Sequence, residues 1–389
     1  MLGTLISMSE VDRIMLHRAA LAALRGAGRV EPNPMVGCVI GVPAGDGARI
    51  LGIGHHRRYG GPHAEVEALA DCARRGADPR GATAWVTLEP CCHTGKTGPC
   101  TEALIRAGIT KVVFARRDPN PVSGGGAERL MRAGIEVREF GAVPEAVRVS
   151  DPFVKRITTG LPWVTVKWAQ TIDGRIAARS GDSKWISNEW SRRMVHRLRA
   201  RVDAVLTGIG TVLADDPLLT ARDVPLRRSA RRIVIDPLLK LPSNCALVRS
   251  AGEGGPPLTV ATSVHTLKLN RTAADALRRA GNVEIASFPD DAGELPLGDV
   301  LRHLVQAHDA TNVFVEAGPG VVSRLLRSGL ADAMLVFIGP LVLGDDEAIG
   351  PVRGEAIEAI SSARRFELLR VRRLGGDAVL GYRVRHPPA

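Results

Sequence analysis

Two stretches decide how this chain is read: Pro62-His63-Ala64-Glu65, and Glu89-Pro90-Cys91-Cys92-His93-Thr94-Gly95-Lys96-Thr97-Gly98-Pro99-Cys100. Proline suits the first helical turn, where its missing N–H costs nothing, so the first stretch opens a helix. The second ends a strand and leads through a polar loop to a helix that begins at Cys100. A zinc ion takes nitrogen and sulfur ligands tetrahedrally, and a catalytic site keeps the fourth position for water. His63, Cys91 and Cys100 supply three such ligands from two helix starts, and helix N-termini favour the thiolate form that ligation needs. Cys92 and His93 compete for ligation; adjacent side chains point apart, so Cys91 and Cys92 are not both ligands. Glu65, two residues beyond His63, belongs beside such an ion rather than on it. There a carboxylate can shuttle a proton from bound water to a departing amine.

Working outward, residues 9–28 carry helical apolar periodicity with Gly28 as a stop, and 35–42 form an apolar run between Pro34 and Pro43, hence a strand that 50–55 can pair with. Residues 65–75 and 100–107 read as helices, and 84–88 and 111–115 as short buried strands. Strands alternating with helices predict an α/β layer with parallel pairing. Residues 144–162 are poor in periodicity and contain Pro144, Pro152 and Pro162, so the domain boundary is expected there, giving domains 1–150 and 151–389. Beyond it come a strand at 163–169, a helix at 187–200, and buried runs at 204–206, 233–235, 258–261, 283–286, 313–315 and 334–338. Residues 366–385 read as terminal antiparallel strands, and no repeat links the two halves.

An apolar fraction of 45% in 389 residues supports two domains, each with its own core, and excludes a disordered chain. No apolar run is long enough to span a membrane. The N-terminus carries Glu10, Asp12 and Arg13 without a small-residue cleavage site, so a cytoplasmic protein is expected. Lys plus Arg outnumber Asp plus Glu by 52 to 41, a formal charge of +11. Such a balance suits nucleic acid, an acidic membrane surface or small phosphorylated ligands. With 4% aromatic residues there is little to stack on bases, which favours the small ligands. Three of the six cysteines crowd into residues 91–100, a pattern of metal or thiol chemistry rather than of a disulfide framework.

A His-x-Glu at a helix start joined to a Pro-Cys pair is the pattern of zinc nucleobase deaminases. Cytidine and transfer-RNA adenosine deaminases place the second cysteine three residues after the first; here the separation is nine. With Asn33-Pro34-Met35-Val36-Gly37 upstream and Asp118-Pro119-Asn120-Pro121 downstream, this long cysteine loop resembles the bifunctional riboflavin-biosynthesis deaminase–reductase family, and the likeness covers nearly the whole chain. The resemblance implies a cytidine-deaminase-like αβα domain followed by a dihydrofolate-reductase-like α/β domain. The first would convert a diaminopyrimidinone bearing a phosphoribosylamino group to the uracil, and the second would reduce its ribosyl group to ribityl with NADPH. It puts the zinc ligands on His63, Cys91 and Cys100, the proton shuttle on Glu65, and ring and phosphate contacts on Asn33, His93, Lys96 and Asn120. Asn33 offers a donor and an acceptor to a pyrimidine edge, and Lys96 with His93 suits the sugar phosphate. Cys92 stands where relatives often carry Ser.

In the second half the likeness runs through Lys167-Trp168-Ala169-Gln170-Thr171-Ile172-Asp173-Gly174, through Ser183 and Trp185, and through Thr207-Gly208-Ile209-Gly210-Thr211. It continues in Asp215-Asp216-Pro217-Leu218-Leu219-Thr220 and in Glu316-Ala317-Gly318-Pro319-Gly320. A strand, a glycine turn and a helix start form a cradle for phosphates. As a dinucleotide fingerprint it is incomplete, with Ser323 where a third glycine would stand. The resemblance implies that NADPH meets Ala169, Trp185, Thr211, Asp215 and the turn of Gly318, Pro319, Gly320, Val321, Val322, Ser323 and Arg324. It implies that the substrate meets Ser183, Arg199, Leu219, Arg222 and Glu316. Arg199 and Arg222 suit a bidentate phosphate grip. Lys167 is the candidate catalytic group, with Glu316 as a polar partner of the reacting sugar. The expected partners are the small phosphorylated pyrimidine and further copies of the chain, as a dimer or tetramer, with neither nucleic acid nor membrane. A nucleic-acid deaminase is disfavoured by the cysteine spacing and the aromatic shortage; a non-catalytic zinc scaffold would leave Glu65 without a purpose.

Overall fold

A five-stranded and a nine-stranded sheet build two separate units, Met1–Leu161 and Pro162–Ala389. The computed structural model describes residues 8–44, 47–94, 98–354 and 358–384.

The first unit runs α1 (Met8–Ala23), β1 (Gly37–Ala44), β2 (Gly47–His55), α2 (Ala64–Arg74), β3 (Thr83–Val86), α3 (Cys100–Arg106), β4 (Lys111–Phe114), α4 (Gly126–Arg132), β5 (Glu136–Glu139), α5 (Pro144–Arg148) and α6 (Asp151–Thr159). Its sheet order is β2-β1-β3-β4-β5. β1 lies antiparallel to β2 and β3, and only β3, β4 and β5 run parallel. The parallel pairing predicted throughout therefore holds for half the sheet, because the short β1–β2 connection is a hairpin and leaves no room for a crossover. Alternate residues bury both faces: Val39, Trp85 and Val113 pack against α1, while Cys38, Ile40, Val86 and Phe114 pack against Ala68, Leu104 and Leu130. A Cβ on Gly54 would lie 2.2 Å from the Ala64 carbonyl oxygen, so glycine is what lets β2 touch the start of α2 and seat it on the sheet.

The expected boundary region is helical instead. Pro144 and Pro152 stand in the first turns of α5 and α6, where proline initiates rather than breaks. Phe153 enters the first unit's core, with Val154 and Ile157 packed against it, and the division falls after Leu161 rather than at residue 150.

The second unit comprises β6 (Trp163–Gln170), α7 (Glu189–Arg199), β7 (Ala204–Gly208), α8 (Ile209–Asp215), β8 (Arg231–Ile235), α9 (Ala246–Gly252), β9 (Leu258–Ser263), α10 (Val264–Leu269), α11 (Arg271–Arg279), β10 (Val283–Phe288), α12 (Leu297–His308), β11 (Asn312–Val315), α13 (Pro319–Arg327), β12 (Ala333–Ile338), β13 (Phe366–Leu374) and β14 (Asp377–Val384). The order is β10-β9-β8-β7-β11-β6-β12-β14-β13, parallel through β12 and antiparallel over the last two pairs. The terminal antiparallel pair is thus as expected. β11 sits between β7 and β6, a reversal of strand order. Ligands of open α/β sheets bind at such a point, beyond the carboxyl ends of the strands.

Candidate active sites

In the first unit, His63 caps α2 and Cys100 begins α3, so the two helix starts converge as their sequences predict. His63 Nδ1 lies 3.5 Å from Cys91 Sγ and 3.3 Å from Cys100 Sγ, and all three ligand atoms fall within 4.8 Å of one another. Zinc bonds of about 2.3 Å to sulfur and about 2.0 Å to nitrogen give a tetrahedral edge of roughly 3.5 Å, so the trio fits the ion. Hydrogen bonding from Cys100, offset by burial and helped by His63, draws Cys91 down to about 4. Cys100 is pushed the other way, by the proton it donates to Cys91 and by burial.

Glu65 is buried beside these groups. Burial, and then the Cys91 thiolate, push its carboxyl up to about 7, against the pull of His63. His56 was not anticipated. Its Nδ1 donates to the Pro62 carbonyl at 2.9 Å, which leaves Nε2 to accept from Asn33 Nδ2 at 3.3 Å. The His56 ring stacks edge-on against His63 at 5.3 Å, so Asn33 is tied to the ligand set through one imidazole. Of the two competitors for ligation, Cys92 is engaged elsewhere, its thiol donating to the Gly124 carbonyl at 2.8 Å, and His93 is exposed on the loop. Asn120 is half-buried in the turn after β4. Lys96 lies outside the described residues.

In the second unit, parallel register pairs Val315 with Val166, and the next residue on each strand carries charge. Lys167 Nζ stands 3.9 Å from Glu316 Oε2 and 5.7 Å from the Phe337 ring centre. Arg199, at the end of α7, grips Glu316 with Nε at 2.5 Å and Nη2 at 3.0 Å, and its Nη1 donates to the Thr220 carbonyl. The bidentate edge expected to hold phosphate is therefore taken by Glu316. Burial would raise the Glu316 carboxyl, but Arg199 and then Lys167 hold it below its ordinary value. Burial lowers Lys167, and Glu316 only partly restores it. Arg222 is exposed, and Leu219 is buried with a left-handed backbone (φ 52°).

At the end of β11, Gly318 N–H donates to Thr211 Oγ1 at 3.1 Å, joining the glycine turn to the start of α8. Among the described residues, nothing beyond the local backbone lies within 4 Å of where a Cβ on Gly210 or Gly320 would sit, so both glycines border open space and fit a phosphate-bearing cofactor. Trp185 is exposed with the Arg192 guanidinium 4.5 Å from its ring centre, and Lys184 pairs with Asp215 at 3.5 Å. Ala169 lies at the end of β6, and Ser183 is half-buried in the loop after it. Pro319 and Val321 flank Gly320 in the first turn of α13. Farther along that helix the predicted contacts face inward: Val322 is in the core, the Ser323 hydroxyl accepts the Arg353 N–H, and Arg324 is bound by Glu294 and the Leu295 carbonyl.

A second trio, Glu284, His303 and His308, also brings ligand atoms together. Its carboxylate is already satisfied by both imidazoles, the Thr259 hydroxyl and Arg231, at 2.8 to 3.2 Å, which makes it a closed ion-pair network.

Residues 9–116 match the cytidine and deoxycytidylate deaminase zinc-binding region, and residues 162–380 match the RibD C-terminal domain. The riboflavin biosynthesis protein RibD of Aquifex aeolicus is 37% identical over 375 residues, covering 96% of this chain and 99% of that one. The Escherichia coli protein of the same name is 38% identical, covering 95% and 98%. A Thermotoga maritima diaminohydroxyphosphoribosylaminopyrimidine deaminase/5-amino-6-(5-phosphoribosylamino)uracil reductase superposes with a TM-score of 0.80 at 35% identity, covering 97% of this chain and all of that one. Acinetobacter baumannii RibD gives 0.79 at 34%, with the same coverage.

Proposed function

This chain belongs to the RibD family of riboflavin-biosynthesis proteins, and from that premise we propose how its two units divide the work. The first hydrolytically deaminates the phosphoribosylated diaminopyrimidinone; the second reduces the ribosyl group of the resulting uracil to ribityl with NADPH. The observation that carries this reading is the convergence of His63, Cys91 and Cys100 with a buried Glu65 beside them.

His63, Cys91 and Cys100 would hold zinc, which when bound would supply a Lewis acid that makes water a nucleophile near neutral pH. Glu65 takes a proton from the attacking water and returns it to the leaving amine; a carboxyl displaced towards neutrality by burial suits transfer in both directions. Asn33, held by His56, keeps Oδ1 and one N–H for the pyrimidine edge. Asn120 joins it, and His93 and Lys96 take the sugar phosphate.

The Gly318–Gly320 turn and Thr211 would seat NADPH, which when bound would supply hydride to the reductase reaction. Ala169, Trp185 and Asp215 border the same seat. Lys167 Nζ carries the proton delivered to the reacting sugar, and its lowered affinity for that proton makes it a readier donor. Glu316 orients Lys167 and is itself fixed by Arg199. With Arg199 committed, Arg222 is the predicted arginine left for the substrate phosphate, with Ser183 and Leu219 as further substrate contacts.

No helix among the described residues is long and apolar enough to cross a membrane. We assign the chain to the cytoplasm, where reduction keeps all six cysteines as the free thiols seen here. We also propose a homo-oligomer: Leu368, Leu369 and Val371 are exposed on β13, an edge strand whose apolar face a second copy would cover. The test of the main reading is a coupled assay on the phosphoribosylated diaminopyrimidinone, followed by mass spectrometry. Exchange of an amino for an oxo group and then addition of two hydrogens are expected. Unchanged substrate with a zinc-loaded chain overturns it.

A further inference from the structure

Glu89 and Cys92 flank the Pro90-Cys91 pair, ligate nothing, and reach one neighbouring segment. The Glu89 side chain is 1% exposed. Its Oε1 accepts the Ala127 N–H at 2.8 Å and its Oε2 the Asp118 N–H at 3.1 Å, so one carboxylate holds both ends of residues 118–127. On the other side of Cys91, the Cys92 N–H donates to the Ser123 carbonyl at 3.2 Å and the thiol to the Gly124 carbonyl at 2.8 Å. A Cβ on Gly126 would lie 1.7 Å from the Pro90 carbonyl oxygen, so the segment is pressed against the ligand run.

The segment is also tied internally. Asp118 accepts the Asn120 N–H at 3.0 Å and the Ser123 hydroxyl at 2.7 Å. Asn120 Oδ1 accepts the Val122 N–H at 3.1 Å, which fixes the amide orientation and leaves the Nδ2 hydrogens as its donors to a ligand.

We propose that Glu89 and Cys92 are positioning residues: they fasten segment 118–127 to both sides of Cys91, so that Asn120 meets the pyrimidine at a set distance from the metal ligands. The inference rests on the deaminase reading above. Both Glu89 oxygens face N–H donors, and Gln can satisfy only one of them; its NH2 would oppose the other. A Ser at position 92 would donate to the same carbonyl as the thiol, which gives the site a conservative replacement.

The test measures three things on the full-length, zinc-loaded chain: deaminase KM and kcat, zinc content, and hydrogen exchange over 118–127. Glu89→Gln is expected to raise KM roughly 10- to 100-fold and speed exchange in the segment, with kcat changed much less and zinc retained. Cys92→Ala should raise KM about 3- to 10-fold, and Cys92→Ser should recover most of that loss. Unchanged KM and exchange in Glu89→Gln overturn the proposal, as does zinc loss in step with KM, because the two residues would then serve the metal run alone. Should Glu89→Gln not fold, the Ala and Ser variants at position 92 decide by the same readouts. A wild-type chain that holds zinc but deaminates nothing refutes the deaminase reading, while the exchange data still decide whether the clamp exists.

Discussion

Each site holds a largely buried glutamate beside its reacting groups, Glu65 in the first and Glu316 in the second, and the two are treated oppositely. Glu65 has no Lys or Arg within ion-pair distance among the described residues, and its carboxyl rises to about 7. Glu316 is enclosed by Arg199 at 2.5 Å and Lys167 at 3.9 Å, and its carboxyl is held below the ordinary value. A buried carboxylate without a counter-charge takes up a proton; with one it stays ionised. On the function proposed above, the first site receives its cation from outside and moves protons through Glu65. The second supplies its own cations and holds Glu316 as an anion, and on the same proposal Lys167 carries the proton.

The contrast is broken most severely by Glu65→Gln. Zinc should remain, because the ligands are untouched, while deamination falls by about 10³- to 10⁴-fold with the loss of the proton shuttle. Reduction of the deaminated intermediate should continue at the wild-type rate. Metal analysis with separate assays of the two steps checks this, and a variant that still deaminates would remove Glu65 from the mechanism.

Arg199→Ala tests the other pole. Removing one partner of a buried ion pair costs about 3–5 kcal/mol, and Lys167, too distant for a hydrogen bond, recovers only part of it. Urea unfolding should place this loss in the second unit. Adding Glu316→Ala should restore most of the stability, since the uncompensated charge goes with it. If the double variant is no more stable than the single one, Arg199 stabilises by packing alone.

These predictions also mark what was legible in the sequence. His63, Glu65 and Cys100 sit at helix starts and Cys91 in the loop that leads to the last of them, all within short stretches, so local chemistry sufficed to assemble them. Arg199 and Glu316 are 117 residues apart, and nothing local says that a guanidinium meets a carboxylate rather than a phosphate. The register of β11 beside β6 sets Glu316 against Lys167, and the end of α7 brings Arg199 to it. His56 and Glu89 escaped for another reason: the carbonyl and N–H groups they bind belong to the backbone, which every residue carries. Among the elements, β5 (Glu-Val-Arg-Glu) carries a single apolar residue, Val137, too little to mark a buried strand, because it lies at the sheet edge. α5 and α6 were hidden by prolines that read as breakers and act as starters.

Lys167→Met separates proton delivery from hydride transfer. Reduction should fall about 10²- to 10³-fold, with NADPH binding retained. Because burial lowers the Lys167 pKa, the protonated donor is lost at a lower pH than an exposed lysine would allow. The wild-type reductase rate should therefore decline as pH rises through that lowered value, and the variant should lack this alkaline limb. A limb that persists in Lys167→Met assigns the proton to another group.

The smallest effect sharpens the contrast without any catalysis. In the metal-free chain the Glu65 pKa is about 7 when folded, against 4.5 for an ordinary glutamate carboxyl, which approximates the unfolded chain. Below the unfolded value both states are protonated and Glu65 contributes nothing. Between the two values the unfolded chain releases the proton that the folded chain keeps, so stability falls as pH rises; above about 7 the full penalty applies. Glu65→Gln removes an ionisable group that disfavours folding. The stripped variant should thus match the stripped wild type near pH 4 and exceed it by about 3 kcal/mol near pH 8. Zinc reverses the comparison, since a cation beside Glu65 stabilises its ionised form and the wild type then gains relative to the variant. Equal pH slopes for the two stripped proteins would mean that Glu65 meets a counter-charge in the folded state after all, and the distinction between the two glutamates would fail at its first term.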